Sequence, residues 1–196
     1  THQIYLDGYY LDKYEVTNAH YNTCVDSDVC ELPYQLSSKT RPSYYGNTQF
    51  DNYPVLAVDY DQAKIYCEWR GSQLPTEAQW EKAARGTDER RYPWGNEQSD
   101  PTFANYDDNQ GDTTVVGSYE SGVSPYGVYD MAGNVWEWVA DWYAEKYYQN
   151  SPTFNPTGPD DGVNPVVRGG AWNTNWSQLE VFHRFINPPN RYTSVG

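Results

Sequence analysis

Turn-forming residues divide the second half of the chain into short segments, and this feature restricts its fold more than any other. Clusters of Gly, Asn, Asp and Pro recur at 92–96, 107–112, 124–127 and 155–159. These residue types favour tight turns and end regular elements. The intervals between them suit short strands, which we predict at 134–143, 165–168 and 181–186. From residue 91 onward we therefore expect short strands joined by ordered loops.

The first sixteen residues alternate apolar and polar side chains. Residues 3–16 read Q-I-Y-L-D-G-Y-Y-L-D-K-Y-E-V, and a two-residue alternation of this kind predicts a β-strand. Thr17 follows as a candidate N-cap, and the spacing of Tyr21 and Val25 fits a helix over residues 18–26.

Two further helices are predicted from capping boxes, in which a residue at the N-cap and one three positions later bond each other's backbone. The two pairs are Asp59 with Gln62 and Thr76 with Gln79. A glycine follows each segment, Gly71 and Gly86, and glycine commonly ends helices. We therefore predict helices over 60–70 and 77–85.

Few helices, many short strands and long loops together predict an α+β fold. The chain has 196 residues, which suits one domain over 1–196, and no repeat or low-complexity linker divides it. Its 20 Tyr and 8 Trp dominate the apolar composition, so we expect a core of rings whose polar ends form hydrogen bonds.

The charge balance excludes several partners. With 27 acidic against 13 basic residues the net charge is -14, the opposite of what phosphate binding needs. We therefore expect no nucleic-acid partner and no anionic membrane. No apolar run approaches the roughly 20 residues of a membrane span, so membrane insertion is not expected either. The first residues do not resemble a signal peptide.

The chain has three cysteines. Five residues separate Cys24 from Cys30, so the two cysteines either close a small disulfide loop or remain as two reduced, buried thiols. Cys67 is left over within a predicted helix, where an unpaired cysteine usually belongs to the core.

Five sequence words, spread over almost the whole chain, resemble those of the formylglycine-generating-enzyme, or sulfatase-modifying-factor, family. They are DKYEVTN at 12–18, LPTEAQWEKAARG at 74–86, YPWGN at 92–96, YGVYDMAGNVWEW at 126–138 and RGGAW at 168–172. The resemblance implies the C-type-lectin-like α+β fold of that family. Because one fold supports several functions, it does not by itself decide this one.

The residues expected at a catalytic centre are missing. In the family's oxidases, two cysteines after the RGG-S/A-W word bind copper and oxidise a substrate cysteine, whereas Thr174 and Leu179 occupy those positions here. Neither can replace a thiolate, the soft ligand that selects Cu(I). The family's iron-dependent sulfoxide synthases need several histidines, and this chain has three. We therefore predict a non-catalytic domain without copper; an oxidase that has lost its cysteine pair is the enzymatic alternative.

The segment 173–196 resembles the variable region of bacterial and phage proteins that retroelements diversify at template adenines. Asn, Thr, Ser, His, Phe, Ile and Tyr are all reached from the Asn codon AAC by changing its adenines. The candidate ligand-binding residues are Asn173, Thr174, Asn175, Trp176, Ser177, Gln178, His183, Phe185, Ile186, Tyr192, Thr193 and Ser194. Trp176 and Gln178 do not fit the codon pattern.

This resemblance implies a protein or other macromolecular ligand, and it favours a cell surface or a virion as the location, with the cytoplasm as the alternative. Rings would supply contact area, and short polar side chains adaptable hydrogen bonds. Two alternatives remain: a binding or signalling module that is not diversified, and an ordinary strand-and-loop segment, because Asn, Ser and Thr are common in loops.

The family resemblance also implies structural Ca²⁺. One site carries over to the side chains of Asp130 and Glu137 and the carbonyls of Gly133 and Val135. Oxygen donors of this mixture suit Ca²⁺ rather than zinc or copper. The alternative is a metal-free turn in which Glu137 caps backbone amides.

A second calcium site of the family carries over less directly, because the loop after residue 105 is shorter here. It would use the side chains of Asn105 and Asp108 and the carbonyls of Tyr106 and Gln110. Either ion would hold loops in place rather than take part in a reaction.

Overall fold

The computed structural model describes residues 3–98 and 100–187. It contains three α-helices at the predicted places: α1 (Asn18–Asp26), α2 (Tyr60–Trp69) and α3 (Glu77–Arg85). The three helix predictions are confirmed to within one residue at each end.

Both capping boxes form as the spacing predicts. The Asp59 side chain accepts a hydrogen bond from the Gln62 amide at 2.8 Å, and the Gln62 side chain accepts from the Asp59 amide at 3.1 Å. Thr76 and Gln79 make the same reciprocal pair at the start of α3. Helices α2 and α3 are each followed by a glycine with positive φ, +74° at Gly71 and +70° at Gly86, a conformation that other residues rarely adopt.

Within the described residues the sheet has three antiparallel strands in chain order, β1 (Glu137–Trp142), β2 (Pro165–Arg168) and β3 (Phe185–Ile186). Each strand lies within a predicted segment, but β1 and β3 are shorter than predicted. The chain before β1 forms turns instead, with positive φ at Asp130, Gly133 and Asn134. Before β3, residues 181–184 turn to place Val181 in the core.

The prediction of a strand over 3–16 is wrong. Among the described residues the structure shows single β-bridges, Tyr5 to Phe154 and Thr17 to Pro54, but no ladder between them. The segment lies along the core surface as an extended chain, with Leu11 and Val16 packed inward and Tyr10 fully exposed. Leu11 and Val16 are five positions apart, so the inward positions do not keep a period of two, and a strand also needs a neighbour.

The segment 131–139 connects several parts of the core. Val139 packs with Trp80 of α3, Trp138 packs with Tyr60 of α2, and Val135 packs with Tyr44. One stretch of chain thus contributes to clusters that would otherwise be separate.

Cys24 and Cys30 form a disulfide at the end of α1, and Cys67 is a free, partly buried thiol of α2. Within residues 3–98 and 100–187, none of the helices has the length and apolar character that a membrane crossing demands.

Candidate functional site

The segment after β2 starts with a backbone turn that only glycine fits. Gly170 has φ +84°, and a Cβ there would lie 2.8 Å from Leu179 and 3.2 Å from the Thr174 hydroxyl. Thr174 then bonds back to Ala171, and Asn175 caps a short 3-10 helix by accepting from the Ser177 amide at 3.1 Å. The segment is therefore ordered by its own side chains.

Buried residues anchor the segment from beneath. Leu179 is 1% exposed and Val181 is fully buried. Arg184 donates to both carboxylate oxygens of Glu77, at 2.7 and 2.8 Å, and Glu77 also accepts from the fully buried Arg168 at 2.6 Å. Arg168 in turn donates to the Val181 carbonyl. This ion-pair network ties the segment to α3 and β2.

Between these anchors, most of the candidate ligand-binding residues face solvent. The exposed ones are Asn173, Asn175, Trp176, Ser177, Phe185 and Ile186, while Thr174, Gln178 and His183 are half-buried. Tyr192, Thr193 and Ser194 lie outside the described residues. Of the twelve candidates, six are therefore exposed and three are half-buried.

The aromatic members of this stretch are partly supported by neighbouring rings. Phe185 stacks on Trp136 with ring centroids 5.0 Å apart, and His183 lies 6.3 Å from Phe185 on a similar plane. Burial lowers the pKa of His183, so its imidazole is neutral at neutral pH. Such rings are held in place without being enclosed.

Phe182 was missed by sequence reasoning. It is 49% exposed and lies between the buried Val181 and the half-buried His183. Its place within 173–196 was the one signal for Phe182, because an apolar residue next to a valine is more typical of the core. We define the C-terminal face as the exposed residues Asn173, Asn175, Trp176, Ser177, Phe182, Phe185 and Ile186.

The two positions that hold cysteines in the family's oxidases have structural roles here. The Thr174 hydroxyl bonds within the turn to Ala171, and Leu179 is buried beside Tyr92 and Tyr106. Neither side chain can ligate copper.

Asp130 and Glu137, the expected calcium ligands, are close enough to repel each other. Burial raises the pKa of Asp130 to about 6 and that of Glu137 to about 8, and the Asp130 charge adds to the shift at Glu137. One oxygen of each accepts a hydrogen bond, from the Gly117 amide at 2.6 Å and from the Trp80 indole at 2.8 Å.

Glu15 joins these carboxyl groups and was not predicted. It accepts from the Asn134 side chain at 2.6 Å and from the Val135 amide at 3.2 Å, and burial together with Asp130 and Glu137 raises its pKa well above its ordinary value. No periodic signal in the sequence indicated that Glu15 faces inward, because Lys13, two positions earlier, is exposed.

Glu15, Asp130 and Glu137 form no ion pair with Lys or Arg in the described ranges, so only bound protons, as the raised pKa values indicate, or a cation can neutralise them. Uncompensated buried carboxylates fit a bound cation. No group of three or more His, Cys, Asp or Glu side chains is placed to hold a metal in this part of the chain, so carbonyl oxygens would have to complete a site.

The residues of the second expected calcium site lie in different environments. Asn105 is buried and donates to the Asp112 carbonyl at 2.9 Å, whereas Asp108 is exposed and pairs with Lys39 at 3.5 Å. Gln110 is also exposed, and Tyr106 is buried in the core. Within the described residues the Asn105 Oδ1 atom is buried without a hydrogen-bond partner, and the second calcium site stays a prediction.

Comparisons with known proteins support the fold. The family model described as "Sulfatase-modifying factor enzyme 1-like domain" matches residues 1–195. The serine/threonine-protein kinase pkn1 of Chlamydia caviae is 36% identical over 207 residues, 99% of this chain and 33% of that protein. The formylglycine-generating enzyme of Streptomyces coelicolor is 40% identical over 135 residues, 62% of this chain and 42% of that enzyme. Treponema denticola variable protein 1 superposes with a TM-score of 0.79 at 24% identity, covering 97% of this chain and 83% of that structure.

Few helices, a small antiparallel sheet and long ordered loops define an α+β domain with the C-type-lectin-like fold of the formylglycine-generating enzymes and variable proteins. The chain belongs to the sulfatase-modifying factor enzyme 1-like family. The resemblance indicated by the five sequence words is thereby confirmed. The chain spans about a third of the length of the kinase relatives, and the family includes enzymes as well as other proteins.

Proposed function

We propose that this domain is non-catalytic and binds a protein or other macromolecular ligand through the C-terminal face. The observation that carries the proposal is the two-layer construction of 173–187. Exposed rings and short polar side chains alternate with anchors such as Leu179 and Arg184. A surface that can vary without disturbing what lies below it is what a binding site for changing partners requires.

The exposed side chains have the chemistry of a binding surface. Four large apolar side chains of this face are between 37% and 49% exposed, so each could bury more apolar area in a complex: Trp176, Phe182, Phe185 and Ile186. Aromatic side chains at such positions become binding anchors, since they desolvate a large area at a low cost in rotamer entropy. The flanking Asn173 and Asn175 offer amide donors and acceptors at the rim.

A pair of libraries tests the two-layer argument. In the first, codons for Asn173, Asn175 and Phe182 are randomised; in the matched control, codons for Leu179, Val181 and Arg184 are randomised. We expect most members of the first library to fold with melting temperatures near that of the parent and most of the second to be unfolded. Equal losses of folded protein in both libraries would contradict the proposal.

The more specific part of the proposal is that a retroelement diversifies the C-terminal face. It is supported by the residue types on the C-terminal face, which AAC-derived codons encode at most positions. The test is genomic: a near-copy of the DNA for 173–196, differing at adenines and lying near a reverse-transcriptase gene, is expected. Its absence would leave a binding module with a fixed face.

The non-catalytic role is supported by the loss of both copper-binding thiols. It is tested by incubating the protein and copper with a cysteine-containing sulfatase peptide, using a catalytic family member as positive control. We expect no conversion of the peptide cysteine; turnover above the copper-only background would restore an enzymatic function.

We further propose that one Ca²⁺ ion stabilises the loops before β1. The side chains of Asp130 and Glu137 would hold it, with the carbonyls of Gly133 and Val135, and the uncompensated charge of this region supports the assignment. The ion would be structural, because it would neutralise carboxylates that otherwise repel each other.

A second candidate function is a binding module of a signalling protein. It is favoured by the match of this chain to one third of the kinase pkn1. In that case the C-terminal face would have a fixed sequence and a single partner. Sequencing the locus separates the two, since a fixed module needs no template repeat.

A further inference from the structure

A second exposed apolar area lies where helix α2 meets the loop that follows α1. Four large apolar side chains there are between 37% and 54% exposed: Val29, Leu32, Ile65 and Trp69. We call these four residues the α2 patch. None of them belongs to the C-terminal face, so an inference about the α2 patch is independent of ligand binding at that face.

Side-chain contacts hold the loop of residues 29–34 against α1 and α2. The Gln62 side chain of α2 donates to the Leu32 carbonyl at 3.0 Å. The Tyr21 hydroxyl of α1 donates to the Glu31 carbonyl at 3.0 Å, and the Tyr21 ring stacks on Tyr66 of α2 with ring centroids 5.5 Å apart. The loop therefore lies along the side of α2 that carries Gln62 and Tyr66.

The helical spacing places Ile65 and Trp69 at the edge of this contact. Residues three and four positions apart lie on the same side of a helix, so Ile65 neighbours Gln62 and Trp69 neighbours Tyr66. Gln62 and Tyr66 are buried, whereas Ile65 and Trp69 stay exposed beside them. One turn of helix, about 6 Å of rise, separates Ile65 from Trp69. The α2 patch is thus a row on the helix next to Leu32 of the loop.

Acidic side chains flank the α2 patch on both of its segments. They are Asp28 and Glu31 on the loop and Asp61 and Glu68 on the helix, and all four are exposed. In the described ranges Asp28, Glu31 and Asp61 form no ion pair with Lys or Arg. Glu68 reaches Lys64 at 3.9 Å. The border of the patch therefore carries more negative than positive charge.

This border determines which occupant fits the patch. A second copy of the chain would bring the same carboxylates and a net charge of -14 against them, and like charges across an interface oppose association. Nucleic acid and anionic membranes are opposed for the same reason. An apolar stripe bordered by Lys and Arg complements both the exposed apolar side chains and the acids, and this is the pattern of a basic amphipathic helix.

We propose that the α2 patch binds a basic amphipathic helix of a partner protein. The apolar stripe of that helix packs on Leu32, Ile65 and Trp69, and its Lys or Arg side chains pair with the carboxylates of the border. A helix carries charges along both edges of its apolar stripe, whereas an extended chain divides its side chains between two opposite faces. The border on both segments of the patch therefore favours a helix.

The first test compares two peptides of equal composition. The probe is a Leu/Lys peptide of about 14 residues, or about four turns, whose leucines form one helical stripe. The control peptide alternates Leu and Lys, which favours an extended chain. Fluorescence anisotropy of the labelled peptides should show the helical peptide binding about tenfold more tightly or better. Equal affinities, or no binding of the helical peptide, would overturn the proposal.

Substitutions at exposed positions separate specific docking from general attraction to an acidic protein. I65A and W69A should each weaken binding about tenfold, whereas V163A, at an exposed apolar residue outside the patch, should change it less than about twofold. D61K/E68K removes part of the acidic border, and D160K/D161K makes the same change of charge elsewhere. We expect about tenfold weaker binding for the first double variant and about twofold for the second. Equal effects of the two would contradict the assigned site.

The location of the peptide is measured on the three isoleucines of the chain, Ile4, Ile65 and Ile186, labelled with carbon-13 at the methyl group. Binding should shift the Ile65 signal, which I65V identifies by its loss, and leave that of Ile186 in the C-terminal face unchanged. A shift of Ile186 without Ile65 would overturn this proposal and leave the proposed function intact. A dimer of the chain that W69A dissociates would assign the patch to a second copy and overturn it as well.

Discussion

Truncating three apolar residues of one segment should produce three different losses of stability. Phe182 is 49% exposed, so Phe182→Ala removes about half of a burial free energy of roughly 1.5–3 kcal/mol, an expected loss of about 1 kcal/mol. Phe185 is 41% exposed and also stacks on Trp136, and its ring pair adds roughly 0.5–1.5 kcal/mol, which gives about 2 kcal/mol.

Leu179 is the matched control within the same segment. Its side chain is 1% exposed and packs against Tyr92 and Tyr106, so Leu179→Ala leaves a closed cavity. The expected loss is about 3–4 kcal/mol, in the middle of the range for buried leucines. Because the Leu179 loss includes a cavity and the Phe182 loss does not, the order 182, 185, 179 follows from the structure.

Urea denaturation followed by tryptophan fluorescence measures these losses. In a domain of this size 1 kcal/mol corresponds to roughly 2–4 °C in melting temperature, so Phe182→Ala and Leu179→Ala should differ by more than 4 °C. Equal losses for Phe182→Ala and Leu179→Ala would refute the exposed position of Phe182, since Phe182 would then belong to the core.

Three further predictions test the metal, the ion-pair network and the disulfide. Calcium should raise the melting temperature and chelation lower it; D130A should remove most of this shift, and D161A, at an exposed acid, should not. Burial raises the pKa of Glu137 from 4.5 to about 8, so the calcium-free protein should lose stability as pH rises through this range. The increase in melting temperature on adding calcium should therefore grow with pH. An increase that is the same at pH 5 and pH 8 would contradict this. Glu77→Gln should cost about 3–5 kcal/mol, because it removes the buried carboxylate that Arg168 and Arg184 share and leaves Arg168 only the pair with Glu81. Glu81→Gln, at a side chain that is 31% exposed, should cost about 1 kcal/mol by equilibrium unfolding. Reducing the Cys24–Cys30 disulfide should cost about 2 kcal/mol, the chain-entropy value for so short a loop, and C24S/C30S should show the same loss.

Local signals in the sequence were sufficient for the helices, because each capping box is completed within four residues. They were insufficient for residues 3–16, where the alternation could not show that no strand lies alongside in the described part of the chain. The positions of the strands were predicted but not their lengths; Val181, four positions before β3, lies in the core, and residues 181–184 turn instead of continuing the strand.

The candidate site was predicted unevenly for a similar reason. Most residues of the C-terminal face were found from residue type, but Phe182 was missed because exposure depends on which neighbour the fold buries. Glu15 lies more than a hundred residues from Asp130 in the chain, and only the tertiary fold brings the two charges together.

The ion-pair network of Glu77 limits where the chain between Arg168 and Arg184 can change in length. Because Glu77 bonds Arg168 and Arg184 at the same time, the chain between these two arginines is fixed at both ends. Residues added within the surface turn at 173–177 can bulge into solvent without moving either end. One residue added between Leu179 and Arg184 would shift Val181 or the guanidinium out of place. The domain can therefore acquire longer loops at one point of this segment and not at the other, and insertions found among its relatives should fall accordingly.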